Sequence, residues 1–183
     1  KGLGNQFLDD LRGADVFIHI IDVSGTTNVE GKPLNEGEVY DPCVDVNFLE
    51  EELNKWFYNI LVRAWKSFAK KAEAEETKIS EAVAKQFSGL KVSEEQVKNV
   101  LRKTNLPERP SQWKDEDVMT FAAGLRKESK PMIIAANKCD HPNAQENIKK
   151  MQDEFPELMI YPCSADGELA LRGAAKAGLI DYI

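Results

Sequence analysis

The stretch PMIIAANKCD, residues 131–140, decides the fold of this chain. Its first six residues are apolar, which is typical of a buried strand, and the polar residues begin where that strand is predicted to end. A second strand-like run, residues 158–163, ends in Ser164-Ala165. Ligands of open α/β sheets bind outside the carboxyl ends of the strands. The sequence therefore predicts two ligand-binding loops at one edge of a parallel sheet.

The polar residues after the first strand suit recognition of guanine. Asp140 can accept hydrogen bonds from guanine N1 and N2, a pair of donors that adenine lacks on that edge. A site left with an unpaired polar group rejects the wrong ligand by roughly 10⁴ to 10⁵, so Asp140 is predicted to select the base. Asn137 is expected to bridge the base edge and neighbouring loops, and the alkyl stem of Lys138 to cover the face of the purine.

The second loop is predicted to complete the base site. The Ser164 hydroxyl is expected to stabilise a turn that presents the backbone N–H of Ala165 to guanine O6. The alternative for the first loop is that Asp140 only caps a helix beginning near Pro142, because Asp is a favoured N-cap. The candidate base-binding residues are therefore Asn137, Lys138, Asp140, Ser164 and Ala165.

A phosphate loop is not recognisable in the sequence. P-loop nucleotidases need G-x-x-x-x-G-K-[ST] for the phosphates and an acidic residue for Mg²⁺. The nearest candidate, Gly25 to Pro33, has five residues between its glycines and a proline where the hydroxyl should stand. We interpret it as a connecting loop, and we assign no catalytic residue and no metal ligand. This chain alone is predicted not to hydrolyse GTP and to bind it poorly.

Both ends of the chain resemble the Obg-like GTPases of the YchF branch. The resemblance rests on KGLGNQFLDDLRGAD and VFIHIIDVSG at residues 1–25, on Tyr40-Asp41-Pro42, on the two base loops and on residues 174–183. It implies an α/β fold, a partial Ras-like P-loop GTPase domain with an inserted α-helical subdomain. It also implies that the chain starts just after the D-x-x-G motif, as a truncated fragment without the phosphate loop, switch I or TGS domain.

The same resemblance implies a function. It is that of a translation-associated GTPase switch that binds GTP or GDP with Mg²⁺ and works with the ribosome or ribosomal RNA. Many members of the branch carry N-x-x-E in the base loop and prefer ATP, so Asp140 implies selectivity for GTP. Two alternatives stay open: a pseudo-GTPase that docks through its helical insertion, and an ATP-preferring YchF-like NTPase.

Hydrophobic periodicity predicts a βα pattern that is interrupted once. G-domain parts are predicted at residues 1–47 and 111–183, around a helical insertion at residues 48–110. The first part contains a buried strand over residues 16–22 and a loop over residues 24–45. In the insertion, an apolar stripe from Leu49 to Phe68 and a second from Ile79 to Leu90 predict a helical hairpin. Ser93 and Gln96 fit a capping box for a third helix.

Composition and charge limit the class of protein. The formal net charge is −7, but residues 48–110 carry 12 Lys or Arg against 10 Asp or Glu, a balance of +2. The insertion is therefore the more plausible contact with RNA. The three cysteines share no C-x-x-C spacing, which indicates free thiols in a reducing compartment. No membrane span or leader is recognisable, so we expect a cytoplasmic protein that does not bind membranes.

Overall fold

The computed structural model of the chain describes residues 10–35 and 37–182 and shows the predicted α/β fold class. Its strands are β1 (Phe17–Asp22), β2 (Met132–Asn137) and β3 (Met159–Cys163). The helices of these residues are α1 (Cys43–Val62), α2 (Trp65–Ala74), α3 (Ile79–Gln86), α4 (Glu94–Lys103), α5 (Asp115–Ser129), α6 (Ala144–Glu154) and α7 (Ala165–Lys176). Short 3₁₀ turns lie at Leu11–Gly13, Ser88–Leu90 and Pro110–Gln112.

The chain divides into two compact units. Among the described residues, the helical unit comprises residues 10–17 and 49–131, and the sheet unit comprises residues 18–48, without residue 36, and 132–182. Residues 111–131 thus group with the helical residues, whereas the sequence analysis assigned them to the second G-domain part. The assignment of residues 48–110 as an insertion in a G domain stays a prediction.

The sheet unit is organised around strands in the order β1-β2-β3. Strands β2 and β3 are parallel, and their register sets Asn137 opposite Cys163 at the carboxyl ends. Burial alternates along β2, where Met132, Ile134 and Ala136 face the core. Helix α6 packs against β3 and buries Ile148 and Met151. One face of the sheet is therefore covered.

The prediction that the strand at residues 16–22 is buried is wrong for one of its faces. Phe17 and Ile21 are buried, but Ile18 and Ile20 are 64% and 69% exposed. Strand residues alternate between the two faces of a sheet, so a run of Val and Ile can still leave every second side chain in solvent. Periodicity identified the strand correctly and overestimated its burial.

The helical unit has an aromatic core. The ring of Trp65 stacks on that of Trp113 with centroids 5.0 Å apart, and Phe121 packs against both rings. The indole N–H of Trp65 donates to the carbonyl oxygen of Pro110 at 3.1 Å. Trp65 is 1% exposed, and Phe57 is fully buried. The sequence predicts that Trp56, Phe57, Tyr58, Trp65 and Phe68 form a helical core rather than a stacking platform for nucleic acid. The burial of Trp56, Phe57 and Trp65 agrees with this prediction.

Helix boundaries in this region differ from the prediction. The predicted stripe from Leu49 to Phe68 is two helices, because α1 ends at Val62 and α2 begins at Trp65. Helix α1 also begins earlier than predicted, at Cys43, where the Asp41 carboxylate accepts the backbone N–H of Cys43 at 3.1 Å. An acidic residue there suits the positive end of the helix dipole.

Two buried cations link the elements of the helical unit. Arg126 is 1% exposed and donates to the Glu50 carboxylate and to the Asn54 side-chain oxygen. Lys130 is fully buried and donates to the backbone oxygens of Arg12 and Ala14. Buried charges need such partners, because an unpaired charge away from water is strongly destabilising.

Four further expectations concern local features. The capping box of Ser93 and Gln96 is present at the start of α4, as predicted. All three cysteines are free thiols, as predicted. In the part of the chain that the structure describes, no helix is both long and apolar enough to cross a membrane. The sequence also predicts the end of a helix at residues 6–11, of which residues 6–9 lie outside the described residues.

Candidate base-recognition site

The two predicted base loops lie side by side at one edge of the sheet. Asn137 is the last residue of β2 and pairs in register with Cys163, the last residue of β3. The backbone N–H of Cys139 donates to the carbonyl oxygen of Cys163 at 3.1 Å. The parallel pairing therefore continues past the strand ends and fixes the separation of the loops.

A side-chain contact joins the loops directly. The side-chain oxygen of Asn137 accepts the backbone N–H of Ala165 at 3.0 Å. Ala165 is the first residue of α7. The sequence alone predicts this helix over residues 168–177, so the helix begins three residues earlier than its sequence pattern indicates. Since the N–H of Ala165 is engaged by Asn137, the expected bond to guanine O6 requires that the base shares or displaces this contact.

Asp140 lies on the exposed side of the first loop, next to Ser164. The Ser164 hydroxyl, which lies near the Asp140 carboxylate, and the backbone N–H of Asp140 lower the pKa of the carboxyl. The carboxyl of Asp140 is therefore ionised at neutral pH. A negatively charged acceptor is what the two donors of a guanine edge need.

Asp140 does not cap the helix that follows it. Helix α6 begins at Ala144, its N-cap residue is Asn143, and no side chain makes the capping bond. The alternative in which Asp140 serves only as a helix cap is therefore wrong. The reason is a turn between the loop and the helix, in which the N–H of His141 donates to the carbonyl oxygen of Lys138.

Ser164 is held from both sides. Its hydroxyl oxygen accepts the backbone N–H of Gly167 at 3.2 Å, as the N-cap of α7. A Cβ atom at Gly167 would lie 2.9 Å from that hydroxyl oxygen, which is too close for a side chain without displacement of Ser164. The first turn of α7 thus fixes the position of the Ser164 hydroxyl near Asp140.

Lys138 has an unusual backbone and an unexpected partner. Its φ angle is +64°, in the left-handed region that side chains rarely adopt. Its ammonium group pairs with the Asp22 carboxylate at 2.5 Å, at the end of β1. The expected contact between the Lys138 stem and the purine stays a prediction.

Asp22 is the residue that the sequence analysis missed. It was identified only as the end of the first strand and received no role. The signal that reveals it is position, because a polar residue at the carboxyl end of β1 belongs to the same sheet edge as Asn137 at the end of β2.

The segment from Gly25 to Pro33 is a closed turn and not an open anion-binding loop. Thr27 and Pro33 form an antiparallel bridge, and the side-chain oxygen of Asn28 accepts the backbone N–H groups of Glu30 and Lys32. Those N–H groups are therefore occupied within the segment. This geometry agrees with the interpretation of the segment as a connection.

In residues 10–35 and 37–182, no three His, Cys, Asp or Glu side chains come together in a way that could hold a metal ion.

Comparison with known proteins shows what the chain is similar to. Residues 135–183, which contain both base loops, match the family model described as Obg-like GTPase YGR210-like, G4 motif-containing domain. An uncharacterised GTP-binding protein of Methanocaldococcus jannaschii is 47% identical over 180 residues, which are 98% of this chain and 44% of that protein. One of Schizosaccharomyces pombe is 37% identical over 183 residues, which are 100% of this chain and 44% of that protein.

A solved structure shares the fold. The crystal structure of a GTP binding protein from Pyrococcus horikoshii superimposes with a TM-score of 0.83 and 43% sequence identity, over 97% of this chain and 51% of that one. The chain thus spans about half the length of the proteins it matches. The resemblance to the Obg-like GTPases is confirmed, and residues 135–183 match the G4 motif-containing domain of that family.

Proposed function

We propose that this chain provides the guanine-recognition site of a GTP-binding protein. The site consists of Asn137, Lys138, Asp140, Ser164 and Ala165. The observation that carries the proposal is the joined pair of loops, in which the side-chain oxygen of Asn137 accepts the backbone N–H of Ala165 and the Asp140 carboxylate lies near the Ser164 hydroxyl. The relatives named as GTP-binding proteins support it.

The chemistry of the two loops is complementary to one base edge. An ionised Asp140 would accept from guanine N1 and N2, while the Ala165 N–H at the start of α7 would donate to O6 by sharing or displacing its contact with Asn137. The positive end of a helix dipole favours a partly negative carbonyl oxygen, so both loops contribute to the same selection. Adenine presents the opposite pattern at these positions.

The decisive experiment changes the hydrogen-bonding character of Asp140. In the full-length gene product, Asp140→Asn sets a donor opposite the guanine donors and should weaken GTP binding by at least about a hundredfold, since bonds to charged groups contribute roughly 1.5 to 3 kcal/mol each. It should also favour xanthosine triphosphate, whose position 2 is an acceptor. A competition titration of GTP, ATP and xanthosine triphosphate measures both effects.

The matched control is Asp153→Asn on the exposed outer side of α6, which should leave all three affinities within about twofold of wild type because the residue lies outside both loops. Equal affinity of the wild type for ATP and GTP, or an unchanged GTP affinity in Asp140→Asn, would contradict the proposal. The first of these outcomes would instead support the ATP-preferring alternative.

Hydrolysis of GTP is the activity we propose for the full-length gene product. The reaction needs Mg²⁺ and groups around the β- and γ-phosphates. Residues 1–183 contain no recognisable phosphate loop, so the proposal assigns base recognition alone to this chain. Micromolar GTP binding by the isolated 183-residue chain, without dependence on metal, would contradict this division of labour.

We further propose that the helical unit docks on ribosomal RNA, as part of a translation-associated switch that works in the cytoplasm. The supporting feature is a row of three exposed cations, Arg63, Lys66 and Lys70, none of which forms an ion pair within the described residues. Lys66 and Lys70 are one helical turn apart in α2. Like charges at that spacing destabilise a helix by roughly 0.2 to 0.5 kcal/mol, which an RNA phosphate backbone would offset.

The test compares this row with paired cations of the same unit. The double variant Lys66→Gln and Lys70→Gln should abolish most co-sedimentation with ribosomes and lower the salt slope of binding by about 2. The control variant combines Lys98→Gln and Lys103→Gln, whose ammonium groups already pair with Glu94 and Glu128. Equal losses in the two variants would contradict the proposed surface.

The same preparations separate the switch from the pseudo-GTPase alternative. A switch should bind and slowly hydrolyse GTP, whereas a docking module should co-sediment with ribosomes and show neither property. Deletion of residues 48–110 with a short linker in their place should spare nucleotide affinity and abolish co-sedimentation. The opposite pattern would assign the helices to the nucleotide pocket.

A further inference from the structure

The carboxylate of Asp22 accepts hydrogen bonds from three residues. One oxygen accepts both the backbone N–H and the hydroxyl of Ser24, at 3.0 and 2.5 Å. The other accepts the hydroxyl of Thr27 at 2.7 Å and the ammonium group of Lys138 at 2.5 Å. Donors from residues 24–27 thus orient the carboxylate toward Lys138 of the base loop.

The turn beyond β1 is itself tied to the base-recognition elements. The backbone N–H of Val23 donates to the carbonyl oxygen of Asn137 at 3.0 Å. The side-chain N–H of Asn147, in α6, donates to the carbonyl oxygen of Val23 at 2.9 Å. Asp22 is therefore followed by a residue that is hydrogen-bonded both to the end of β2 and to α6.

Lys138 needs an anchor because its backbone conformation is unfavourable for a residue with a side chain. A φ of +64° is typical of glycine, and a lysine remains there only when the surroundings hold it. The backbone of the loop is held by two bonds, from Cys139 N–H to Cys163 and from His141 N–H to Lys138. The Asp22 carboxylate holds the far end of the same side chain.

We propose that Asp22 is a positioning residue for the base-recognition loop: it holds the Lys138 ammonium group, and thereby the left-handed turn that presents Asp140 to the base. This inference rests on the proposed guanine site and adds a residue from a different strand to it. Fixing both ends of the Lys138 side chain also restricts its alkyl stem to one path.

Burial disfavours ionisation of Asp22, but its bonds to Lys138, Ser24 and Thr27 outweigh burial and lower its pKa to about 2. The carboxylate is therefore charged at neutral pH.

A double-mutant cycle tests whether Asp22 acts through Lys138. In the full-length gene product, Asp22→Asn should reduce GTP affinity about tenfold, since a tenfold change corresponds to a typical coupling between contacting residues. In the background of Lys138→Met, which keeps the stem and removes the charge, Asp22→Asn should change GTP affinity by less than about twofold. The preference for GTP over xanthosine triphosphate should not change, because Asp140 reads the base.

Asp41→Asn is the matched control. Asp41 pairs with the Lys150 ammonium group at the same distance, 2.5 Å, in the same unit, but within the described residues it forms no hydrogen bond or ion pair with the base loop. Its replacement should leave GTP affinity within about twofold of wild type. Equal losses of GTP affinity in Asp22→Asn and Asp41→Asn would reveal a general loss of stability and would overturn the inference.

A second measurement does not depend on nucleotide. Hydrogen exchange of the 183-residue chain should show the amides of Cys139 and His141 exchanging at least about tenfold faster in Asp22→Asn than in wild type or Asp41→Asn. Unchanged exchange, or additive losses of GTP affinity in the double-mutant cycle, would overturn the inference. If the wild type binds no guanine nucleotide, the proposed function fails. Exchange then still decides whether Asp22 orders the loop.

Discussion

The helical unit and the sheet unit differ in how completely they bury large apolar side chains. In the helical unit Trp65 and Phe121 are almost completely buried, whereas in the sheet unit Ile20, Tyr161 and Leu169 are 69%, 56% and 70% exposed. Each amphipathic helix of the first unit has apolar partners on its inner face. A sheet with parallel strands is normally covered on both faces, and the described residues cover one. The helical unit therefore has the more self-sufficient core.

Charged pairs show the same contrast. Arg126 and Glu50 of the helical unit are 1% and 14% exposed, whereas Lys138 and Asp22 of the sheet unit are 44% and 22% exposed. The first pair serves packing, because water and ligands do not reach it. The second lies in the candidate site, where a ligand can approach. The charged pair of the sheet unit is thus more exposed than that of the helical unit, and it lies at the sheet edge that contains the candidate site.

The largest effect on the free energy of unfolding is expected when a phenylalanine is replaced by alanine at a buried position, in comparison with the same replacement at an exposed position. Phe121→Ala should lower the free energy of unfolding by about 3 to 5 kcal/mol, because it removes a fully buried ring from the aromatic core. Phe48→Ala, at a position that is 66% exposed, should change it by less than about 0.5 kcal/mol. Urea unfolding of both variants measures the difference. Similar changes in the two variants would show that the buried ring contributes no more to stability than the exposed one.

The next effect concerns the buried ion pair. Glu50→Gln should destabilise the helical unit by about 3 kcal/mol, because it leaves the buried Arg126 guanidinium without a full countercharge. Lys103→Met breaks an exposed pair with Glu128 in the same unit and should lower stability by no more than about 1 kcal/mol. Denaturant unfolding at neutral pH would test the ranking, and a reversed order would contradict it.

A smaller, pH-dependent effect is expected at Asp22. The folded state lowers the pKa of its carboxyl from 3.8 to about 2. A lowered pKa contributes stability that is present above the unfolded pKa and is lost as the pH falls toward the folded one. After allowance for solvent at the Lys138 side, the contribution at pH 7 is about 1 to 2 kcal/mol.

Asp22→Asn should therefore destabilise the chain at pH 7, and its difference from wild type should shrink as the pH is lowered from about 5 to about 2. Unfolding by urea at a series of pH values measures this. A difference that stays constant with pH would show that the ion pair with Lys138 makes no net contribution.

The smallest effect is expected on the exposed face of the sheet. Ile20→Thr keeps a β-branched side chain at a position that is 69% exposed, so stability should change by less than about 0.5 kcal/mol. Binding of a hydrophobic dye should decrease, because the exposed apolar surface becomes smaller. A large loss of stability would mean that this face is covered in solution and would break the contrast between the units.

Particular elements show how far the sequence could predict the structure. The apolar run before Asn137 and the run before Ser164 predicted both strands, and the capping box of Ser93 and Gln96 was correct. The start of α7 was predicted too late, because Ser164 was interpreted only as a turn residue and not as the N-cap. Local hydrogen-bonding choices of this kind depend on competition between a turn and a helix, which residue type alone does not settle.

The sequence by itself determined the motif, its place after a buried strand and the resemblance to Obg-like GTPases, because these depend on residues that are neighbours in the chain. Only the tertiary structure decided that Asn137 meets Ala165, that Ser164 meets Asp140 and that Asp22 holds Lys138. The last contact joins residues separated by 116 positions. Such contacts follow from strand order and register, which bring the carboxyl ends of different strands to one edge and which no local pattern encodes.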